Sequence, residues 1–153
     1  TFILPNEYLQ EESKLITGTD GEKMSKSKNN IINIFASENE LKKQIKSIET
    51  DSKELESPKE WRTCNLYNIY KLIADENQID TMKSKYEAGG YGYGHAKNDL
   101  FQLIIEKYSE ERKKFNHYIS NPNEVEEILV KGAEKASFTA DKVLSRVRKK
   151  LGY

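Results

Sequence analysis

Gly18-Thr-Asp-Gly-Glu-Lys-Met-Ser-Lys-Ser-Lys-Asn-Asn30 is the stretch that decides how the rest of this chain is read. Within it Lys23 and Lys26 stand three apart among small hydroxyl residues, directly after the turn-forming Gly18-Thr19-Asp20-Gly21. Glycine leaves the backbone free to move, and lysine brings a compact charge on a flexible stem. A loop so built is suited to close over a polyphosphate. A solvated basic surface loop is the plainer reading, and spacing alone does not separate the two.

Outward from this loop the pattern changes. Residues 1–4 and about 14–17 read as short strands, separated by Pro5-Asn6-Glu7 and the charged Glu11-Glu12. They look like the end of a larger sheet, and an unpaired edge of that kind invites association. On the other side, Ile31-Ile32-Asn33-Ile34-Phe35 is a short apolar run suited to pack the loop back onto the body.

From there the text is helical. Ser37 with Glu40 makes a capping box ahead of Leu41, Ile45 and Ile48 at near-helical spacing. Ser57-Pro58 closes a charged connector, and Asn65 is expected to cap a second helix striped with Leu66, Ile69, Tyr70 and Ile73. A third begins near Asp75, carries Ile79, Met82 and Tyr86, and stops at Gly89-Gly90, where glycine permits a left-handed residue. From about Ala96 one long helix is predicted, with Leu100, Phe101, Ile104, Ile105, Tyr108, Phe115 and Tyr118 on its apolar side. Asn121, Pro122 and Glu124 mark the start of the last helix, whose stripe runs from Val125 through Leu129, Ala136 and Val143 to Val147. Gly132 inside it costs about 1 kcal/mol against alanine, so a close helix–helix approach is expected there. The fold class is mainly α: a helical bundle preceded by a short β remnant and a mobile loop.

At 153 residues, with 36% hydrophobic and 33% charged, the chain has material for one core and many solvated faces. No apolar run approaches the roughly 18–20 residues of a membrane span. A single cysteine, Cys64, excludes an internal disulfide and fits a reducing compartment. With only His95 and His117 beside it, no metal-ligand pattern exists. Net charge is zero, so any nucleic-acid affinity must be local. Arg112, Lys113 and Lys114 sit beside Tyr108, Phe115 and Tyr118, a mix suited to phosphate contact and base stacking. The same aromatics fall at helical spacing and fit a core better, and Glu106, Glu110 and Glu111 offer the cations partners. Lys142, Arg146, Arg148, Lys149 and Lys150 near the end equally complement a helix dipole. Trp61-Arg62 is either a stacking site or an anchor for its connector. Gly89-Gly-Tyr-Gly-Tyr-Gly94 follows no strand, so it reads as a tight loop positioning Tyr91 and Tyr93, not a nucleotide cradle.

Lys23-Met-Ser-Lys-Ser27 is identical to the second signature of the class I aminoacyl-tRNA synthetases, and further blocks resemble their tryptophanyl-tRNA synthetase branch. These are Gly18-Thr-Asp-Gly21 and Asn29-Asn30 around the loop, Thr50-Asp-Ser52, and Cys64-Asn-Leu-Tyr-Asn-Ile-Tyr-Lys-Leu72. Gly89-Gly-Tyr-Gly-Tyr-Gly-His-Ala-Lys97, Asn121-Pro-Asn-Glu-Val-Glu-Glu-Ile-Leu129 and Gly132-Ala-Glu-Lys-Ala136 complete the set, in order along essentially the whole chain. The block at Gly89 argues against the sister tyrosyl enzymes.

The resemblance implies a Rossmann-like catalytic domain ending over 1–35, then a helical domain of the tRNA anticodon-binding type over 36–153, its last helix free to pack back. It implies activation of tryptophan by ATP with Mg²⁺ to tryptophanyl-adenylate, transfer to tRNA(Trp), a full-length homodimer, and the cytoplasm or an organelle as compartment. Lys23 and Lys26 would be catalytic, Lys23, Met24, Ser25, Lys26 and Ser27 would bind ATP, and Arg112, Lys113 and Lys114 would meet nucleic acid. Lys28 stands where the family commonly has tyrosine, and is expected to point into water. The 153 residues open without methionine and hold no His-x-Gly-His first signature. They are therefore expected to be a C-terminal half, inactive alone and without a tightly bound cofactor. The rival reading is a stand-alone helical RNA-binding or interaction module without catalysis.

Overall fold

Residues 3–8 and 16–152 are described by a computed structural model. Among them lie six α-helices: α1 (Glu38–Lys46), α2 (Asn65–Lys71), α3 (Glu76–Ala88), α4 (Tyr93–Lys107), α5 (Ser109–Ser120) and α6 (Pro122–Leu151). Half of each expected strand, residues 1–2 and 14–15, lies outside the described residues; in the other halves Ile3 and Leu4 form no strand and only Thr17 pairs. The described part contributes a single antiparallel bridge, between Thr17 and Lys23. Packing divides the chain into a unit of Leu9–Arg112 and another of Thr1–Tyr8 with Lys113–Tyr153.

The first unit holds the core. Leu41, Ile45 and Ile48 come from α1 and the turn after it, Leu66, Tyr67, Ile69 and Tyr70 from α2, Met82 and Tyr86 from α3, and Ala96, Leu100, Phe101, Leu103 and Ile104 from α4. Burying each large side chain of this kind stabilises the fold by roughly 1.5–3 kcal/mol. Tyr86 is fully enclosed and meets Tyr67, Tyr91 and Tyr93 at ring-centroid distances of 5.9–6.0 Å. Such offset and edge contacts add to burial because the ring quadrupoles attract at those angles.

Local chemistry sets the helix ends. Ser37 Oγ accepts from the Glu40 amide at 3.3 Å, as its position predicts. Asp75 and Gln78 cap α3 reciprocally, each side chain accepting the other's amide, at 2.9 and 3.0 Å. Gly89 and Gly90 end α3 with φ of 77° and 73°, and a Cβ at Gly89 would meet the Glu56 carbonyl oxygen at 2.3 Å. The connector therefore crosses directly over this glycine. Lys59 fixes the crossing. It is 3% exposed and its ammonium donates to the carbonyls of Glu54, Leu55 and Ser57 at 3.0–3.1 Å. Trp61 is the connector's anchor. Its ring lies 5.4 Å from Tyr67, its Nε1 donates to Glu87 at 2.9 Å, and the Arg62 guanidinium stacks over it at 4.3 Å.

The long helix predicted from Ala96 is two. The turn breaks at Tyr108, which closes α4 with φ −102° and ψ 20°. Tyr108 still packs against the core, but Phe115 and Tyr118, expected to follow it inward, are each 39% exposed. A break in phase explains this, since the apolar stripe of one helix does not continue into the next.

In the second unit, α6 is a helix of 30 residues that forms where its start signal predicts. Its apolar stripe is present but incompletely covered: Val125, Val143 and Val147 are half-buried, while Ile128 and Leu129 are 51% and 60% exposed. Nothing lies within 4 Å of a Cβ built on Gly132, so the close approach expected there is absent among the described residues. The α5–α6 corner is tied by Asn121 Nδ2, which donates to the His117 carbonyl at 2.7 Å, and by His117 Nε2 with Glu124 at 2.7 Å.

Candidate functional site: the lysine loop

The loop from Gly18 to Asn30 is a closed neck with an open tip. At its neck the backbone makes a short antiparallel pairing, with the Gly18 amide donating to Glu22 at 2.7 Å and the Met24 amide to Ile16 at 2.9 Å. The two ends meet where the Thr19 amide donates to the Asn30 carbonyl at 2.9 Å. Asn30 is 3% exposed and fills the neck. Its Nδ2 donates to Asp20 Oδ1 and to the Lys23 carbonyl, at 2.7 and 3.1 Å, and its Oδ1 accepts the Ser25 amide at 2.8 Å. Both amide hydrogens and the side-chain oxygen are thus bonded within the neck, as a buried amide requires.

That arrangement demands glycine at 18. A Cβ there would stand 2.4 Å from the Asn30 carbonyl oxygen and 2.5 Å from Asn30 Cγ. The paired asparagines of the sequence thus have separate tasks. Asn29 takes the left-handed conformation at φ 54° that turns the chain after a short 3₁₀ turn (Lys26–Lys28), and Asn30 plugs the neck.

Of the predicted phosphate ligands, Lys23 and Met24 leave the neck's antiparallel pairing and Ser25, Lys26 and Ser27 follow them around the turn. Lys23, Lys26 and Ser27 are exposed, while Met24 and Ser25 are half-buried. Ser25 Oγ and Ser27 Oγ are 2.9 Å apart and share a hydrogen bond. Lys28 is solvated as expected, with its ammonium 3.9 Å from Glu22 and both side chains over half exposed. Two exposed lysines and a pair of hydroxyls are therefore carried on a loop whose neck is fixed. The Asn30 hydrogen bond holds the Asp20 carboxyl below the ordinary value, against a smaller opposing effect of burial.

Both ends of the loop are fastened to the helical body. Asn65, expected to cap α2, instead occupies its first position behind Cys64 and turns its side chain to the loop. It donates to the Gly18 carbonyl at 2.8 Å and accepts from Thr17 Oγ1 at 2.6 Å. The Glu49 amide adds a bond to the Thr19 carbonyl at 2.7 Å. Past the exit, Ile32 and Ile34 pack against the core, as the apolar run predicts. Arg112 is the second surprise. One arm of its guanidinium donates to the Ile34 carbonyl and the other to Ala36 at 2.9 Å.

Lys113 and Lys114 follow Arg112 on α5 and belong to the other unit. Lys97 donates to the Lys46 carbonyl at the end of α1 at 2.8 Å, and burial lowers its pKa. His95 stacks on Tyr91 at 5.9 Å. Tyr91 and Tyr93 are held by Asp99 and Asp51, at 2.6 and 2.7 Å, so the glycine-rich loop positions both tyrosines as read. Among the described residues no three His, Cys, Asp or Glu side chains converge as metal ligands, and no helix is long and apolar enough to cross a membrane.

A family profile described as tRNA synthetases class I (W and Y) matches residues 2–109. A tryptophan–tRNA ligase from Campylobacter jejuni is 44% identical over 151 residues, which is 99% of this chain and 47% of that protein. One from Rhodopirellula baltica is 37% identical, over 99% of this chain and 48% of that protein. The chain thus spans about half the length of the curated relatives it matches. A crystal structure of the Campylobacter jejuni tryptophanyl-tRNA synthetase, complexed with ADP and tryptophan, superposes with a TM-score of 0.85 at 44% identity. It covers 94% of this chain and 45% of that one.

Proposed function

This chain belongs to the class I tRNA synthetases of the W and Y type, and from that premise we propose that it is the loop-bearing and helical part of a tryptophan–tRNA ligase. The whole enzyme would join tryptophan to AMP using ATP, release pyrophosphate, and pass the aminoacyl group to tRNA(Trp). One observation carries the reading: a neck plugged by Asn30 steadies a loop on which Lys23 and Lys26 are both exposed. The relatives' names and the ADP and tryptophan bound in the solved neighbour support the choice of substrates.

In the activation step a carboxylate oxygen of tryptophan attacks the α-phosphorus of ATP, and the bond to the β-phosphate oxygen breaks. Negative charge gathers on the departing pyrophosphate. Lys23 and Lys26 would meet that charge, and Ser25 and Ser27 would donate hydroxyl hydrogens once their mutual bond is exchanged for phosphate oxygens. Preorganisation makes such cations effective, because a loop already closed at its neck has less to reorder at the moment of reaction. Magnesium supplies charge neutralisation on the phosphates in reactions of this type; the described residues form no carboxylate set to hold it.

We assign residues 1–35 to the end of the catalytic domain and 36–153 to the helical domain, a division by role. Lys113 and Lys114 are the cations of the α5 cluster we assign to tRNA(Trp). Arg112 contributes to that surface only with the donors left over from Ile34 and Ala36. We further assign a homodimer to the full-length protein and the cytoplasm as compartment, where the lone buried thiol of Cys64 stays reduced. The test is tryptophan-dependent ATP–pyrophosphate exchange by the enzyme carrying these residues. Activity there, and none from the 153-residue polypeptide alone, is the expected result. No exchange by the whole enzyme would sink the reading and leave a helical RNA-binding module in its place.

A further inference from the structure

We propose that Asn65 is a positioning residue for the lysine loop, fixing its entrance to the helical body and so setting where Lys23 and Lys26 stand. The proposal rests on the functional reading above. Four facts of geometry support it. Asn65 bridges 47 and 48 residues of sequence to bond the Gly18 carbonyl and the Thr17 hydroxyl, two adjacent groups of the loop's entrance. Thr17 is itself the partner of Lys23 in the antiparallel bridge, so the tie reaches the backbone of a phosphate-binding lysine in one step. The anchor is rigid, because Asn65 precedes Leu66 and Tyr67, which are 0% and 3% exposed in the core. Finally, the side chain does no capping for its own helix: Cys64 is the cap residue, and both bonds of the Asn65 amide go to the loop.

The other fastenings are of different kinds. Glu49 holds Thr19 through its backbone amide, and Arg112 holds Ile34 and Ala36 beyond the exit. Asn65 is thus the side-chain tie on the entrance. An amide suits the place because it donates to a carbonyl and accepts from a hydroxyl at once. Aspartate would keep the Thr17 bond but set a carboxylate oxygen against the Gly18 carbonyl.

Asn65→Ala in the whole enzyme is expected to lower kcat for ATP–pyrophosphate exchange about tenfold while the KM for tryptophan moves by less than about twofold. Asn65→Asp should fall as far. Thr17→Val removes one of the two bonds and should cost less, and adding it to Asn65→Ala should cost nothing more, because both changes cut the same tie. An Asn65→Ala enzyme with kcat within about twofold of wild type overturns the proposal, as does a tryptophan KM that rises as much as kcat falls. If Asn65→Ala does not fold, Thr17→Val decides by the same two readings. If the wild-type enzyme shows no exchange, the functional reading falls separately. Amide exchange then decides the tie alone: Asn65→Ala must speed exchange at Gly18 and Met24 without speeding it in α4, and equal rates overturn it.

Discussion

Asn30 Nδ2 donates to Asp20 Oδ1 at 2.7 Å, joining two residues ten apart across the neck of the lysine loop. The bond favours the ionised carboxyl and lowers its pKa from the ordinary 3.8. A carboxyl with a depressed folded pKa lends stability above its unfolded value and loses it as pH falls through the folded value. The stability that this bond lends the neck should therefore be present above about 3.8 and fade as pH falls through the lower folded value. The side-chain amide protons of Asn30, followed by NMR through acid titration, report this directly. Asp20→Asn should abolish the titration; an Asn30 shift complete by pH 5 would contradict it.

Lys26→Ala should lower the rate of tryptophan activation by about 10²–10³ and leave tryptophan binding nearly unchanged, because the lysine meets charge that appears only as pyrophosphate leaves. Lys23→Ala should behave alike. Single-turnover measurement separates the two quantities, and equal losses in both would remove the proposed role.

Gly18→Ala places a methyl 2.4 Å from a backbone oxygen that cannot retreat without breaking the Thr19–Asn30 bond. Forcing it in should destabilise the closed loop by about 1–3 kcal/mol. Faster amide exchange at Thr19 and Ser25, with α3 and α4 unchanged, is the expected signature. An unaffected loop would mean that the neck is not packed as described.

Tyr86 sits at the centre of the aromatic cluster, and Tyr86→Ala should cost about 3–5 kcal/mol in urea denaturation followed by circular dichroism. Tyr86→Phe should cost about 1 kcal/mol or less, since among the described residues the hydroxyl's partner is the Cys64 sulfur, a weak one at 3.9 Å. Comparable losses in both variants would place the stability in the hydroxyl rather than the ring.

Arg112 and its two neighbours should separate by phenotype. Arg112→Ala strips donors from the Ile34 and Ala36 carbonyls and should destabilise the fold by about 1–3 kcal/mol. Lys113→Ala with Lys114→Ala should leave stability nearly unchanged, weaken tRNA binding, and flatten its salt dependence. Filter binding at two salt concentrations, beside thermal melts, distinguishes the cases.

Helix starts were legible wherever a side chain acts on its own next turn. Ser37, Asp75 and the Asn121-Pro122 pair all begin helices where read, and Gly89-Gly90 stops one. What escaped the sequence were side chains that act at a distance. Asn65 resembles a cap by local grammar, yet its partners stand 47 and 48 residues away, where no spacing rule reaches. Arg112 looked like a surface cation for the same reason, and its carbonyl partners are 78 and 76 residues upstream. The α4–α5 break was hidden because an apolar stripe continues through Tyr108 at helical spacing, and backbone torsion alone interrupts it. The loop's tip was legible as chemistry, while the neck that steadies it depended on Asn30, whose burial no composition signals.

Trp61 is the sole tryptophan of the 153 residues, and it is tied to the helical body through Tyr67 and Glu87. This makes it an intrinsic optical probe with a restricted field of view. Its emission should follow unfolding of α2 and α3, with cations from Arg62 and Lys83 resting on its ring, and should be blind to movements at the tip of the lysine loop. A label placed at Ser27 would watch the other half of the story. Together the two signals would time loop closure against the body that holds it.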